Sequence, residues 1–295
     1  MDMIFQLYLE DAYGNKICLT DEELHYVVSK IDGLYPPSAT LSTVGYPGAD
    51  GSYLTNTYVP KRNLVISLIM PGTDIEMYRR ELYKVVQTGK YVKVYYSTAN
   101  RDVWTEGYVE SITMEHFTSM TSGTISILCP DIYWHGYTES TASGICHNPT
   151  EWVTGTTVTY SDTISCNMSV DSDTYGTTMK ITNNSSDDIT FVSFYLQHGH
   201  GGETAAIEVS DVELTLSAGD YILVTSQMGN KDIRLYNSED KDQGSLFGMI
   251  TFSKLEWTEV KYGNNEFRFI FWAAETFSSG DIILEITHTD AYLGV

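Results

Sequence analysis

The chain has 295 residues, 42% of them hydrophobic, enough for substantial cores and too many for a disordered chain. Its 39 acidic and 17 basic residues leave a formal charge of −22, which argues against a phosphate-binding nucleic-acid surface and against a polybasic membrane patch. Cys18, Cys129, Cys146 and Cys166 form no C-x-x-C pair and match no zinc spacing, so they are expected to be free, buried thiols.

Taken in chain order, the elements are mostly strands. Leu7–Tyr13 and Lys16–Leu19 flank Gly14-Asn15, a two-residue hairpin turn by its glycine. Pro36–Asn56, rich in Gly, Pro, Ser and Thr, reads as a long loop, and long loops in compact domains are usually functional or mobile. Leu64, Ile66, Leu68 and Met70 alternate with polar or outward residues, the period of a half-buried strand. Thr73 to Gly89 reads as a helix: Thr73 and Glu76 make a capping box, and Ile75, Tyr78, Leu82, Val85 and Val86 form one apolar stripe. Gly89 is placed as its left-handed terminator, and Arg79, Arg80 and Lys84 lie off the stripe on an open basic side.

Trp104, Tyr108, Ile112 and Met114 are expected on one strand face. A seam falls near residue 135. Residues 136–295 hold 23 acidic against 7 basic residues, while 1–135 hold 16 against 10. Beyond the seam the strands continue: Ile164–Val170, Val212–Leu216, a Gly229-Asn230 hairpin between Tyr221–Gln227 and Asp232–Tyr236, and Phe267, Phe269 and Phe271 on one face. The expectation is two domains and a mainly β fold: a mixed β domain with one packed helix over 1–135, then a β-sandwich over 136–295.

Chemistry is sparse. There is no nucleophile elbow, P-loop, H-E-x-x-H or dinucleotide fingerprint. His198, His200 and Glu203 could in principle ligate zinc, but the intervening glycines leave them on soft backbone and the segment reads as a strand-connecting loop. Asp171 and Asp173 open like a calcium loop that fails at Tyr175 and Thr182, so it reads as a turn. The adjacent Asp187-Asp188 identifies no acid/base pair, and the sequons at Asn167 and Asn183 read as polar turns. Trp104, Trp134, Trp152, Trp257 and Trp272 read more readily as core or interface than as sugar platforms. The start shows no secretion leader pattern, and the longest apolar run is far short of a membrane span. We expect no enzyme, no metal, no cofactor, no membrane insertion and no sequence-specific nucleic-acid binding.

One ordered series stands out. It begins with Tyr26–Leu34 followed by Pro36-Pro37, then a Gly-rich loop with Asp50-Gly51, then Tyr58–Leu68 containing Arg62. The Tyr78-Arg79-Arg80-Glu-Leu-Tyr83 helix follows, then Lys93–Tyr96 with Arg101, then Gly107–Ile112, and last Ile125–Trp134 with Cys129-Pro130-Asp131. Over about residues 5–135 this series resembles the siphovirus distal tail protein family; Ile132 stands where the family often has Pro. The resemblance implies a virion tail-tip protein made in the bacterial host cytoplasm. In this reading six first domains form a ring that continues the tail tube, and the second, galectin-like or jelly-roll sandwiches carry host-recognition proteins. It implies a homo-hexamer with tail-tube, tape-measure and tail-associated or receptor-binding proteins as partners, and it makes Arg79, Arg80, Lys84 and Arg62 interface candidates. Arg234, Arg268 and Trp257-Thr-Glu259 do not assemble the galectin sugar series. The alternative from a different class is a carbohydrate-binding sandwich acting on host-surface glycans, with Trp152 and Trp257 as its first suspects.

Overall fold

The computed structural model describes residues 5–21, 25–72, 74–115, 121–145, 153–154, 157–168, 175–209, 213–227, 229–250, 255–273 and 281–295, excepting the side chains of 153–154, 157–162, 166–168, 175 and 203. Thr73, Cys146, Trp152, Ser169, Val170, Asp171, Asp173 and Val212, all singled out above, lie outside the described residues. The chain divides into two compact units, Met1–Tyr137 with Ala291–Val295, and Thr138–Asp290. Among the described residues the elements are antiparallel strands, one α-helix and one short 3-10 helix at Phe247–Met249.

The first unit contains β1 (Phe5–Asp11), β2 (Lys16–Cys18), β3 (Val27–Asp32), β4 (Thr40–Gly45), β5 (Ser52–Tyr58), β6 (Arg62–Met70), α1 (Ile75–Val85), β7 (Tyr91–Thr98), β8 (Arg101–Met114), β9 (Thr121–Cys129) and the start of β10 (Trp134–Ile145). The strands pair in the order β2-β1-β7-β8-β9-β6-β3, with β10 on the first half of β8. Inward residues alternate as the period of two requires: Leu7 and Leu9, Leu64, Ile66, Leu68 and Met70, Val92 and Val94, Ile125 and Ile127 are all buried. Leu82, Val85 and Val86 close this core from α1, and the Tyr26 hydroxyl donates to the Tyr78 carbonyl at 2.7 Å, tying the helix to the approach of β3.

Four local details differ from the sequence reading. The first hairpin has a four-residue connection, 12–15, organised by Asp11, whose carboxylate accepts from the Tyr13 and Asn15 amides and from Asn15 Nδ2 at 2.8 to 2.9 Å, while Gly14 takes the left-handed conformation (φ 85°). The cap of α1 is Asp74, without a side-chain bond, and Glu76 pairs with Arg79 and Arg80 instead of closing a capping box. The helix ends at Val85, and Gly89 (φ 76°) serves the following turn into β7 instead of terminating the helix. Trp104 and Tyr108 do not share a face with Ile112 and Met114. A bulge between Val109 and Ser111 adds one residue and reverses the alternation, so Ile112 and Met114 pack on the core while Trp104 and Tyr108 face outward.

The second unit holds the rest of β10, then β11 (Val153–Thr154), β12 (Thr157–Met168), β13 (Tyr175–Gly176), β14 (Thr178–Asn183), β15 (Ile189–His200), β16 (Glu203–Val209), β17 (Leu214–Leu216), β18 (Tyr221–Gln227), β19 (Asn230–Tyr236), β20 (Asp242–Ser245), β21 (Glu259–Val260), β22 (Gly263–Ala273) and β23 (Ile282–Tyr292), whose last residues return to the first unit. One sheet runs β23-β14-β18-β19-β20 and another β11-β12-β22-β15-β16, with β17 also on β15. Each buries one face: Ile282, Leu284 and Ile286 with Ile181, Ile222 and Ile233 on the first, Phe267, Phe269 and Phe271 with Phe191, Phe194 and Leu196 on the second. This is the sandwich arrangement, with alternate residues inward along each strand. The β18–β19 turn closes one residue earlier than read: Gln227 pairs with Asn230, so Asn230 belongs to the strand and Gly229 (φ 79°) to the turn.

Candidate assembly surface

The loop expected at Pro36–Asn56 is instead a β-hairpin. β4 and β5 pair only with each other, and all of their residues are exposed. Cross-strand pairs put Val44 with Tyr53 and Thr40 with Tyr58 on one side, and Thr43 with Leu54 and Leu41 with Thr57 on the other. Apolar groups thus stand on both faces, with Leu41 63% and Leu54 55% exposed. Tyr46 and Tyr53 touch across the strands at 5.5 Å between ring centroids. A two-stranded hairpin without a core is marginal in water, and this one leaves its apolar groups open to solvent. Residues 38–58 carry a single charge, Asp50, in a chain of net charge −22. A second acidic copy meets little repulsion from charges on this segment itself.

The helix charges are largely committed within α1. Glu76 accepts from Arg79 at 2.8 Å and from Arg80 at 3.2 Å, so the side read as basic is an internal i,i+3 and i,i+4 network with Lys84 exposed in the last turn. Arg62 is not on a surface. It is fully buried, and its guanidinium donates to the carbonyls of Ile132 (3.0 and 2.6 Å), Tyr35 (3.1 Å), Leu293 (2.5 Å) and Gly33, while stacking 5.6 Å from the Trp134 ring. Burial pushes it down to about 10, still charged at neutral pH. An arginine spent on four inward backbone carbonyls has nothing left for a neighbour, which corrects its reading as an interface residue.

The Cys129-Pro130-Asp131 run acquires a physical meaning beside it. Burial pushes the Cys129 thiol up to about 11. Burial alone would raise the Asp131 carboxyl too, but hydrogen bonding to His135 (2.9 Å), the Tyr133 amide (2.9 Å) and the Arg62 charge hold it below the usual range. On the outer face of β1, β7, β8 and β10, Tyr8, Tyr95, Trp104 and His135 stand in one register row. Lys93 Nζ lies 3.6 Å over the Trp104 ring, and the Tyr91 hydroxyl donates to Glu106 at 2.8 Å. This is a self-satisfied aromatic sheet face with little left over for a ligand.

In the second unit, His198 and His200 sit at the end of β15, and the turn is Gly201-Gly202 alone, both at positive φ. His198 is buried against Asn265 Oδ1 (2.9 Å), and burial lowers its pKa; His200 pairs with the Asn264 carbonyl at 2.8 Å. Asn265 also organises the Lys261–Asn265 turn, accepting from the Lys261 amide at 3.0 Å. Asn183, the sequon residue, is buried and donates to the Asp187 and Leu216 carbonyls, both at 2.8 Å. Glu259 is taken by Lys231 at 2.8 Å and Trp257 stacks on Phe247, while Arg234 pairs with Asp232 and Asp242. No cluster of three or more metal-ligating side chains occurs among the described residues.

Residues 19–129 match the family described as the phage tail protein RIFT-related domain. That segment is similar to a phage tail domain. No curated protein sequence matches the chain. Among solved structures, the Dit protein (gp 19.1) of phage SPP1, described as a paradigm of the hub adsorption apparatus in phages infecting Gram-positive hosts, aligns over 98% of this chain and 99% of its own at 16% identity and a TM-score of 0.59. A chain of the phage P2 baseplate in its activated conformation aligns over 97% and 98% at 12% identity, with a TM-score of 0.49. The phage tail domain and the SPP1 Dit protein thus share this fold, the latter through both units.

Proposed function

We propose that this chain is the structural hub of a phage or prophage tail tip, a distal tail protein that works by assembly and not by catalysis. Six copies of the first unit close into a ring that joins the tail tube and tape measure to tail-associated or receptor-binding proteins, and the site of action is the virion tail tip. The observation that carries this reading is the wholly exposed β4–β5 hairpin, whose one charge is Asp50 in its turn, within the segment that matches the phage tail domain. Its two apolar faces fit insertion between neighbours, and a closed ring satisfies every copy's hairpin with identical contacts. The hydrophobic return on covering it supplies the attraction that a −22 surface otherwise opposes. Size-exclusion chromatography with light scattering tests it. The expected species is a ring six times the 33.1 kDa chain, seen also in negative stain. A monodisperse monomer at high concentration, both alone and with its tail-tube partner added, would overturn the reading.

A further inference from the structure

We propose that Asp50-Gly51, in the turn between β4 and β5, is a site of spontaneous backbone modification, where aspartate isomerises to isoaspartate through a cyclic imide while the hairpin stands uncovered. The reaction needs only the chain and water. The Gly51 amide nitrogen attacks the Asp50 side-chain carboxyl carbon, and a new N–Cγ bond forms. The carboxyl hydroxyl and the amide proton leave together as one water. A second water then opens the imide at either carbonyl. Opening at Cγ restores aspartate. Opening at the main-chain carbonyl routes the chain through Cγ and leaves the former backbone carbon as a free carboxylate. Composition is unchanged overall and nothing is oxidised or reduced. Glycine at the second position favours the attack, since no Cβ crowds the nitrogen and the turn can rotate freely.

The chain holds two Asp-Gly dipeptides, and the fold treats them oppositely. Asp50 and Gly51 are both exposed. Among the described residues the Asp50 carboxylate and the Gly51 amide have no hydrogen-bond or ion-pair partner. Their turn is closed by two long bonds, from the Tyr46 amide to the Gly51 carbonyl at 3.2 Å and from the Ala49 amide to the Tyr46 carbonyl at 3.4 Å. Gly51 sits at φ 106°, where an added Cβ would meet only the Tyr46 ring, at 3.6 Å. Asp32-Gly33 is held on both sides. Asp32 is the last residue of β3, in register with Val65 of β6, and Lys30 Nζ lies 2.8 Å from its carboxylate. The Gly33 carbonyl accepts from buried Arg62, and a Cβ on Gly33 would lie 2.2 Å from the Asn63 carbonyl oxygen. Ring closure requires the main chain to turn until the next nitrogen faces the aspartate side chain. Strand pairing and the Arg62 clamp oppose that rotation at Asp32, whereas the hairpin turn leaves it free at Asp50. Isoaspartate lengthens the main chain by one methylene, which alters the path joining the paired Gly45 and Ser52. A neighbour lying over the hairpin restricts the same rotation, so isomerised turns collect in copies that stay unassembled; this last consequence rests on the hub reading.

The test is to age the full chain in neutral buffer at physiological temperature, folded and in urea. Isoaspartate is then counted at each site by methyl transfer from an isoaspartyl methyltransferase and by peptide fragmentation. In the folded chain the label is expected at Asp50, with about tenfold less at Asp32, because a paired strand must open locally before it can react. In urea both sites convert. Asp50→Glu keeps the charge but needs a larger ring, and its turn stays unlabelled. Asp50→Asn converts faster through the same imide, releasing ammonia in place of the first water. Equal label at Asp32 and Asp50 in the folded chain overturns the proposal. So does label confined to the urea sample, or label in the turn that survives Asp50→Glu. Where rings form, their turns carry less isoaspartate than those of the monomer fraction, and equal amounts in both overturn the link to assembly. Absence of rings with label at Asp50 counts against the hub reading alone, so the two failures are distinguishable.

Discussion

Arg62 shows how one side chain holds a unit of this size together. Its donors reach the turn after β3, the segment before β10 and the returning C-terminus, three places far apart in sequence. Gly33 sits in that turn at φ 94°, where an added Cβ would lie 2.2 Å from the Asn63 carbonyl oxygen. Arg62→Met is expected to cost about 3 kcal/mol, because it strands several buried carbonyls at once; urea unfolding followed by tryptophan fluorescence reads it. Asp131 makes a pH prediction. Its carboxyl is held below its unfolded value of about 3.9. It therefore contributes stability above that pH and loses it as pH falls through the lower folded value. Asp131→Asn should flatten the acid limb of a melting-temperature profile below about pH 4 relative to the parent.

At the scale of elements, the hairpin and the bulge matter most. β4 and β5 contribute to no core, so replacing Leu41, Tyr46, Tyr53 and Leu54 together by Ser should leave unfolding within about 0.5 kcal/mol of the parent. Rings should disappear from negative-stain fields of the same preparation. Persistent rings would move the contact elsewhere, with Lys84 and Arg80 on α1 as the next exposed groups to change. The bulge in β8 has the opposite character. It turns the second half of the strand over, which lets a single long strand serve β7 with its first half and β9 with its second while keeping apolar residues inward.

Across the whole molecule, the two units meet acid differently. His198 and His288, both in the second unit, are buried and depressed below the ordinary imidazole value, chiefly by desolvation. A depressed histidine is neutral in the fold, so its contribution is complete above the unfolded value of about 6.5 and is lost as pH falls towards the folded value. Scanning calorimetry from pH 7 to 5 should therefore show the second unit weakening first, with His198→Gln reducing that slope. The first unit should hold until the carboxylates titrate. An identical pH slope in parent and variant would rule out His198 as the source.

Much of the architecture was legible in the residues, because strand alternation, the α1 stripe and turn glycines are consequences of local backbone geometry. Phe267, Phe269 and Phe271 could be placed inward by their spacing alone, and the ordered series from Tyr26 to Trp134 pointed to the phage tail family before any fold was in view. Other features depended on which strands meet and in what register. A polar, glycine-rich stretch does not announce that it pairs with itself and stands free, as β4 and β5 do. The spacing of Trp104 and Met114 hides the inserted residue between them, and Arg62 in a sequence is only a charge until three distant carbonyl-bearing segments close around it. Local periodicity determines which face a side chain takes within its own strand; only tertiary pairing decides what stands beside it, because that is set by the whole chain's burial of apolar surface.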